Sequence, residues 1–244
     1  MRIELDRSSF SQYSTFMGCP KKYYWNYVRN LVPIATPSYF DTGKSFHEGA
    51  AGLDGETVWH KVGRMAAEYY GVIPNEDHEV RTEFDMGDGI TLVAIADILI
   101  PDAIGEWKLT SRANSDNVNA HSMSLQLRLN AIAFNKERAF LRMVKKTQIR
   151  QRKDENEEMF EQRIISEYRD KPEEHFLHID VAIEKKGAVS EFLMTVANIN
   201  NCMKRDVWPK AAPYACCGMT TCPYLQLCQD EATNLPLYKE KQRV

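Results

Sequence analysis

Val93-Ala94-Ile95-Ala96-Asp97-Ile98-Leu99-Ile100, followed past a Pro101-Asp102 turn by Gly105-Glu106-Trp107-Lys108, is the stretch on which the fold turns. The first run is apolar and rich in branched residues, bounded by turn residues, and reads as a strand; the second reads as a short strand returning from it. An ionised Asp in the middle of an apolar strand is costly unless something pairs with it. Glu106 and Lys108 are two residues apart and therefore project to the same face of their strand. A hairpin brings Asp97 beside that pair. Two carboxylates and an ammonium on one sheet face can hold a hard divalent cation and position a water. Mg²⁺ suits such a set because it takes oxygen ligands, keeps several waters and shares phosphate oxygens with substrates. The plainer reading makes Glu106–Lys108 a surface ion pair and Asp97 a turn residue.

Outward from this hairpin, the sequence alternates helical and strand patterns. Residues 8–30 read as helical, with Ser8 or Ser9 as a cap and Pro20 opening a second helix. Residues 43–70 also read as helical. Arg81–Phe84 and Thr91–Ile100 read as strands joined by the Gly87-Asp88-Gly89 turn, with Ile104–Leu109 a further strand. Ser122–Glu137 carries Leu125, Leu129 and Ile132 at helical spacing. Arg138–Ile149 reads as a strand, and 154–170 and 185–206 as helices. Mixed α/β is the expected class.

The chain has 244 residues, 43% hydrophobic and 27% charged, with a formal net charge of −3. This is globular composition, without repeats, low-complexity runs or a domain-splitting linker. No window approaches the roughly 18–20 uncharged apolar residues of a membrane span. The opening MRIELDRSSFSQY has acids where an export signal would be apolar, so a cytoplasmic protein is expected. The mildly acidic balance is not uniform. Lys136, Arg138, Arg142, Lys145, Lys146, Arg150, Arg152 and Lys153 fall together with Glu137 as the only acid among residues 136–153. Such a run is either a solvated face or an edge suited to a phosphate backbone.

Six cysteines stand at 19, 202, 216, 217, 222 and 228. In a large chain without an export signal, clustered cysteines point to metal or redox chemistry before disulfides. Cys217, Cys222 and Cys228, with the distant Cys19, can tie the two ends of the chain around a metal centre. Zinc with four cysteines usually takes them as two short Cys-x-x-Cys knuckles, which this chain lacks. An iron–sulfur cluster accepts more irregular spacing. Inert buried thiols or a disulfide are the alternatives.

Asp97 followed by Glu106-Trp107-Lys108 resembles the active-site signature of the PD-(D/E)XK nuclease superfamily. Its RecB-like members carry an upstream Gly-x-x-x-His on a helix, matched by Gly43-Lys44-Ser45-Phe46-His47, and a downstream glutamine, matched by Gln126. Asn130 stands where the family often has a tyrosine, and Ala94 where it often has glycine. One subset of RecB-like nucleases holds a 4Fe–4S cluster through one N-terminal and three C-terminal cysteines. It includes CRISPR-adaptation, AddB-type repair and phage exonucleases. Cys19-Pro20-Lys21-Lys22-Tyr23 and the five residues between Cys222 and Cys228 are similar to that pattern. The spacing of Cys217 from Cys222 is wider than usual, so Cys216 is a rival ligand. Cys202 is assigned to packing.

The resemblance covers about Ser8 to Cys228. It implies a restriction-endonuclease-like core over about 40–185 within a single nuclease domain, 1–244. Helical, cysteine-bearing segments at 8–30 and 186–230 would close on the cluster. The implied activity is Mg²⁺- or Mn²⁺-dependent exonucleolytic cleavage of single-stranded DNA or DNA ends. His47, Asp97, Glu106 and the Trp107 carbonyl would hold the ion, with Lys108 on the attacking water and Gln126 supporting the substrate or the lysine. Cys19, Cys217, Cys222 and Cys228 would hold the cluster. A helicase or integrase is an implied partner, since no ATP-binding Gly-x-x-x-x-Gly-Lys-(Ser/Thr) occurs here. The alternatives are a non-catalytic DNA-binding adaptor on the same fold and a zinc-stabilised protein-interaction domain.

Overall fold

A computed structural model describes residues 4–35, 38–72, 78–216 and 221–241. In chain order the strands are β1 (Arg7–Ser9), β2 (Leu31–Pro33), β3 (His78–Asp85), β4 (Thr91–Leu99), β5 (Ala103–Thr110), β6 (Arg138–Lys145), β7 (Phe176–Val181) and β8 (Tyr238–Glu240). The helices of eight or more residues are α1 (Phe10–Gly18), α2 (Ser38–Ala50), α3 (Val58–Tyr69), α4 (Ser115–Ser122), α5 (Leu125–Ala133), α6 (Glu157–Asp170) and α7 (Ala188–Arg205). The class is mixed α/β, with a mixed sheet flanked by helices. None of the helices among the described residues is long and apolar enough to cross a membrane.

The helical reading of 8–30 is interrupted for a local reason. Pro20 disfavours helical backbone at the residue before it, and Cys19 is extended (φ −168°). The chain restarts at Pro20, with Cys19 Sγ accepting the Lys22 N–H at 3.4 Å as an N-cap. The 43–70 reading likewise resolves into α2 and α3 with a loop between them. Strand β7 has no counterpart in the sequence reading. Its His178 and Asp180 are well exposed, so it carries little apolar signal.

The chain divides into two compact units. One comprises Pro37–Thr82 and Ala94–Lys185. Within it, β4 and β5 are antiparallel, β5 and β6 parallel, and β6 and β7 antiparallel. Alternation along β5 and β6 feeds two cores. Ala103, Trp107, Phe140 and Val144 pack with Phe46 of α2, Val62 and Ala66 of α3, and Ile164 and Tyr168 of α6. Ile104, Ala139, Leu141 and Met143 pack with Leu127 and Ala131 of α5 on the other face. Both strands are thus buried on both sides, as a central strand requires. Glu106 and Lys108 share the face of Ile104, toward α5.

The other unit comprises Met1–Thr36, Glu83–Val93 and Lys186–Val244. Here β1 pairs in parallel with Thr91–Val93, the opening of β4, and β2 pairs antiparallel with β8. Its core has two parts. Phe16, Tyr23, Ile199 and Trp208 form one, with Cys202 packed against it. Trp25, Leu31, Tyr224, Leu227 and Tyr238 form the other, with Cys222 and Cys228 against it.

Helices α2 and α3 approach closely at Gly63. A Cβ there would lie 2.3 Å from the Phe46 carbonyl oxygen and 2.6 Å from the Ala50 nitrogen, both backbone atoms. Gly63→Ala therefore loses more in overpacking than it gains in helix propensity, which alone favours Ala by about 1 kcal/mol. Chemical denaturation should show a net loss of about 1–3 kcal/mol. A more stable variant would contradict this account of the helix pair.

Candidate active site and cysteine cavity

The β4–β5 ladder is short. The two strands are in register only at Ile98–Gly105 and Leu99–Ile104, although each continues well beyond. Past these pairs, side chains take over the backbone groups. Asp97 Oδ2 accepts the Trp107 N–H at 3.0 Å. The Ile95 carbonyl accepts from the amide of Asn130, a buried residue of α5, at 2.8 Å. The candidate site is built where the hairpin stops pairing. Asn130, at the position where the resembled family often has tyrosine, holds β4 two residues before Asp97.

His47, near the end of α2, places Nδ1 3.7 Å from Asp97 Oδ2. Glu106 is almost wholly buried, at 1% exposure, and Lys108 Nζ lies in direct ion contact with it. Apart from that contact, neither Glu106 oxygen accepts a hydrogen bond among the described residues. The structure therefore brings His47, Asp97, Glu106 and Lys108 together. It does not bring in Gln126: that residue is half-buried on α5, and its backbone N–H donates to Ser124 Oγ at 3.2 Å. No hydrogen bond joins its side chain to the other four among the described residues.

Burial sets the electrostatics. Desolvation raises the Asp97 carboxyl to about 6, against opposing contributions from the Lys108 charge and the Trp107 N–H. Glu106 is also pushed up by burial, with Lys108 opposing and the Asp97 charge adding to the rise. His47 is pushed down by burial and then by Lys108, so its imidazole is neutral near pH 7 and free to act as a ligand. Two further groups act on this cluster. His121 of α4 is lowered by burial and by Lys108. Glu79 of β3, with left-handed backbone at φ 49°, raises both Asp97 and His47 through its charge. Neither has a sequence signal: His121 ends a weakly patterned helix, and the backbone conformation at Glu79 is not written in residue type.

The donor set, two carboxylates and a neutral imidazole, suits a hard divalent cation in kind. As the side chains stand, Lys108 is the counter-charge on Glu106. No group of three or more His, Cys, Asp or Glu among the described residues is drawn into an ion-holding arrangement.

In the other unit, Cys19, Cys216, Cys222 and Cys228 line one cavity of about 220 Å³, together with Lys22, Lys210 and Tyr224. None of the four is in a disulfide. Cys19 Sγ accepts the Lys22 and Ala211 N–H groups, each at 3.4 Å, and Cys228 Sγ accepts Trp25 Nε1–H at 3.4 Å. The Cys222 thiol is pushed up mainly by burial, with the charges of Cys216 and Cys19 near enough to add to the rise. Cys217 lies outside the described residues; its neighbour Cys216 lines the cavity. Several N–H donors aimed at sulfur suit thiolates that hold a cluster.

Among solved structures, the chain is similar to SSO0001, at 10% identity over 93% of this chain and 87% of the other, with a TM-score of 0.46. It is also similar to an alkaline exonuclease (LHK-Exo) from Laribacter hongkongensis, at 10% identity over 83% of this chain and 94% of the other, with a TM-score of 0.35. No family model and no curated protein matches the chain.

The raised Asp97 value has a consequence for stability. It lies above the ordinary 3.8, so the folded chain keeps a proton that the unfolded chain releases between about pH 4 and 6. The stability linked to this proton is full below about pH 4 and lost as pH rises through about 6. Asp97→Asn should therefore be more stable than the parent at pH 8 in chelator, by about 1–2 kcal/mol. The gain should vanish below pH 4. An Asp97→Asn variant less stable than the parent at pH 8 would contradict the assignment.

Proposed function

We propose that this chain is a metal-dependent deoxyribonuclease that hydrolyses phosphodiester bonds at the Asp97–Glu106–Lys108 cluster. The observation that supports it best is the convergence of a buried and a largely buried carboxylate, a neutral imidazole and an ammonium where the β4–β5 ladder ends. A purely structural ion pair needs neither Asp97 nor His47. Asp97, Glu106 and His47 would hold Mg²⁺ or Mn²⁺, with the Trp107 carbonyl a further oxygen. A bound ion there would supply Lewis-acid activation of the phosphate and of a water.

The chain's own residues do the rest. Burial excludes bulk water from Glu106 and Asp97, so charges placed beside them act at low local dielectric. Lys108, held against Glu106 and about a quarter exposed, can orient a water toward a phosphorus or offset negative charge as it develops. His47 stays neutral and accepts no proton near pH 7. Gln126 lies on α5 above the same face and would contact substrate rather than the lysine. Single-stranded DNA or a DNA end is the proposed substrate, and exonucleolytic cleavage the proposed mode. Work on duplexes would need a helicase, and insertion of the product an integrase.

For the cysteine cavity the proposed occupant is a structural 4Fe–4S cluster held by Cys19, Cys222, Cys228 and one of Cys216 and Cys217.

Two measurements test this reading. Lys108→Ala and Glu106→Ala, assayed on end-labelled single-stranded DNA with Mn²⁺, should each lose at least about 100-fold in rate. Undiminished cleavage by both variants would remove the site assignment. Anaerobically purified protein should be brown, with absorption at about 400 nm, and Cys19→Ser should lose iron. A colourless protein with stoichiometric zinc would refute the cluster.

A further inference from the structure

The structure divides the basic run at 136–153 by what its side chains touch. Lys136 donates to the Pro101 carbonyl at 2.7 Å and Arg138 pairs with Asp102, so both are engaged at the start of β6. Arg142 is buried, its guanidinium 4.4 Å from the Tyr70 ring. The remaining bases lie at the far end of β6 and in the loop over residues 146–156. Lys145, Arg150, Arg152 and Lys153 are exposed; of these, Arg152 adds its charge to that of Arg163 in holding Glu155 ionised. Lys146 is half-buried, with Nζ 5.3 Å from the Trp59 ring.

This loop is held at both its root and its tip. At the root, the buried Tyr168 hydroxyl donates to the Lys145 carbonyl at 3.0 Å and accepts the Thr147 N–H at 3.2 Å. His175 Nδ1 also contacts the Lys145 carbonyl at 3.0 Å. At the tip, Arg163 of α6 grips Glu155 through Nε at 2.9 Å and Nη2 at 2.7 Å, and donates to the Arg150 carbonyl at 2.8 Å. The Arg152 N–H donates to Glu155 as well, at 3.0 Å. Glu155, whose carboxyl the Arg163 guanidinium holds down at about 2, is thereby neutralised by a partner outside the run. Asp154 is the loop's remaining exposed acid, and acids resume at Glu157 and Glu158. An exposed loop of this length would ordinarily be loose; this one presents Arg150, Arg152 and Lys153 on a braced backbone.

Its position adds meaning. Strands β5 and β6 are parallel and end together, with Thr110 opposite Lys145 and the Lys146 N–H donating to the Thr110 carbonyl at 2.7 Å. Thr110 lies two residues past Lys108, about 7 Å along the strand. The basic loop therefore leaves the sheet at the end of the strand pair that carries Lys108, within the same compact unit. It is braced by α6, on the sheet face opposite Glu106 and Lys108, so a bound strand would pass around the strand ends to reach the cluster.

We infer that residues 145–153 form a preordered phosphate-contact loop that grips the backbone of single-stranded DNA at the strand ends just past Lys108, on its way to the Asp97–Glu106–Lys108 cluster. The inference rests on the nuclease reading for its partner. Arg150, Arg152 and Lys153 contact phosphates, and Arg163 is the positioning residue that fixes the loop. Because the loop is already ordered, little conformational freedom is lost when a phosphate binds.

The test is binding of a labelled single-stranded oligonucleotide to the full chain in EDTA, over a series of NaCl concentrations. A triple variant, Arg150→Gln, Arg152→Gln, Lys153→Gln, is compared with a charge-matched control, Lys136→Gln, Arg138→Gln, Lys185→Gln, at the other end of β6. The loop variant should bind at least about tenfold more weakly. Its slope of log K against log salt should be shallower by about 2, since each lost single-strand phosphate contact removes about 0.7. The control should stay near the parent on both measures. Equal weakening by both triples, or parental binding by the loop variant while the parent still cleaves DNA, overturns the loop proposal and leaves the nuclease reading standing. A parent that neither binds nor cleaves overturns both.

Discussion

The hydrogen bond from the Trp107 N–H to Asp97 is the contact on which the site depends. A β-hairpin normally fills its own ladder, and a carboxylate inserted into one is expensive. Here the β4–β5 ladder ends after Leu99–Ile104 and Ile98–Gly105, and Asp97 occupies the acceptor position that a strand carbonyl would otherwise hold. That substitution keeps a backbone donor satisfied and fixes the carboxylate in place. It also leaves Asp97 and Glu106 desolvated beside one ammonium, with too little countercharge to keep both carboxyls at ordinary acidity. The chain carries an energetically unfavourable cluster on interior strands of an otherwise well-packed sheet, where the β4–β5 ladder stops. Such local conflict is what a binding or catalytic site produces when function outweighs stability, and the proposed function accounts for it in that way.

The cysteine-bearing unit has a comparable dependence on one residue. Cys19 caps the short helix that begins at Pro20 and lines the same cavity as three cysteines from the other end of the chain. Around it, Tyr224 donates to the Leu31 carbonyl at 2.8 Å, and β2 pairs with β8. These contacts join segments about two hundred residues apart in sequence, so each closes a long loop of chain. A cluster bridging Cys19 to Cys222 and Cys228 would add covalent closure where polar and aromatic contacts already hold the segments.

How much of this is legible in the sequence follows from the physics of each feature. Period-2 alternation puts Glu106 and Lys108 on one face whatever the rest of the chain does, and a lone Asp in an apolar strand announces a cost that some contact must offset. The hairpin and the mixed α/β class can therefore be read from residues alone. Other features depend on tertiary placement. His121 and Glu79 enter the electrostatics of the site only because α4 and β3 are folded beside it. Asn130 reads as a departure from a pattern, yet its amide holds β4. The adjacent pair Cys216 and Cys217 differ by one residue of spacing, and of the two only Cys216 lies among the described residues, where it lines the cavity. The basic run is uniform in sequence; burial of Arg142 and pairing of Arg138 reduce it to one exposed loop.

The net charge of −3 is likewise a poor guide to partners here. It sums a basic loop at the strand ends past Lys108, an acidic helix after it, and carboxylates whose charge a bound cation would neutralise. What matters is whether the cluster at the end of the β4–β5 ladder takes a divalent ion. Calorimetric titration of Mn²⁺ into the full chain asks this directly. The account predicts binding that is several-fold tighter at pH 8 than at pH 5.5, as Asp97 loses its proton, and that is lost in Asp97→Asn. Equal Mn²⁺ affinity in the parent and in Asp97→Asn, at either pH, would contradict it.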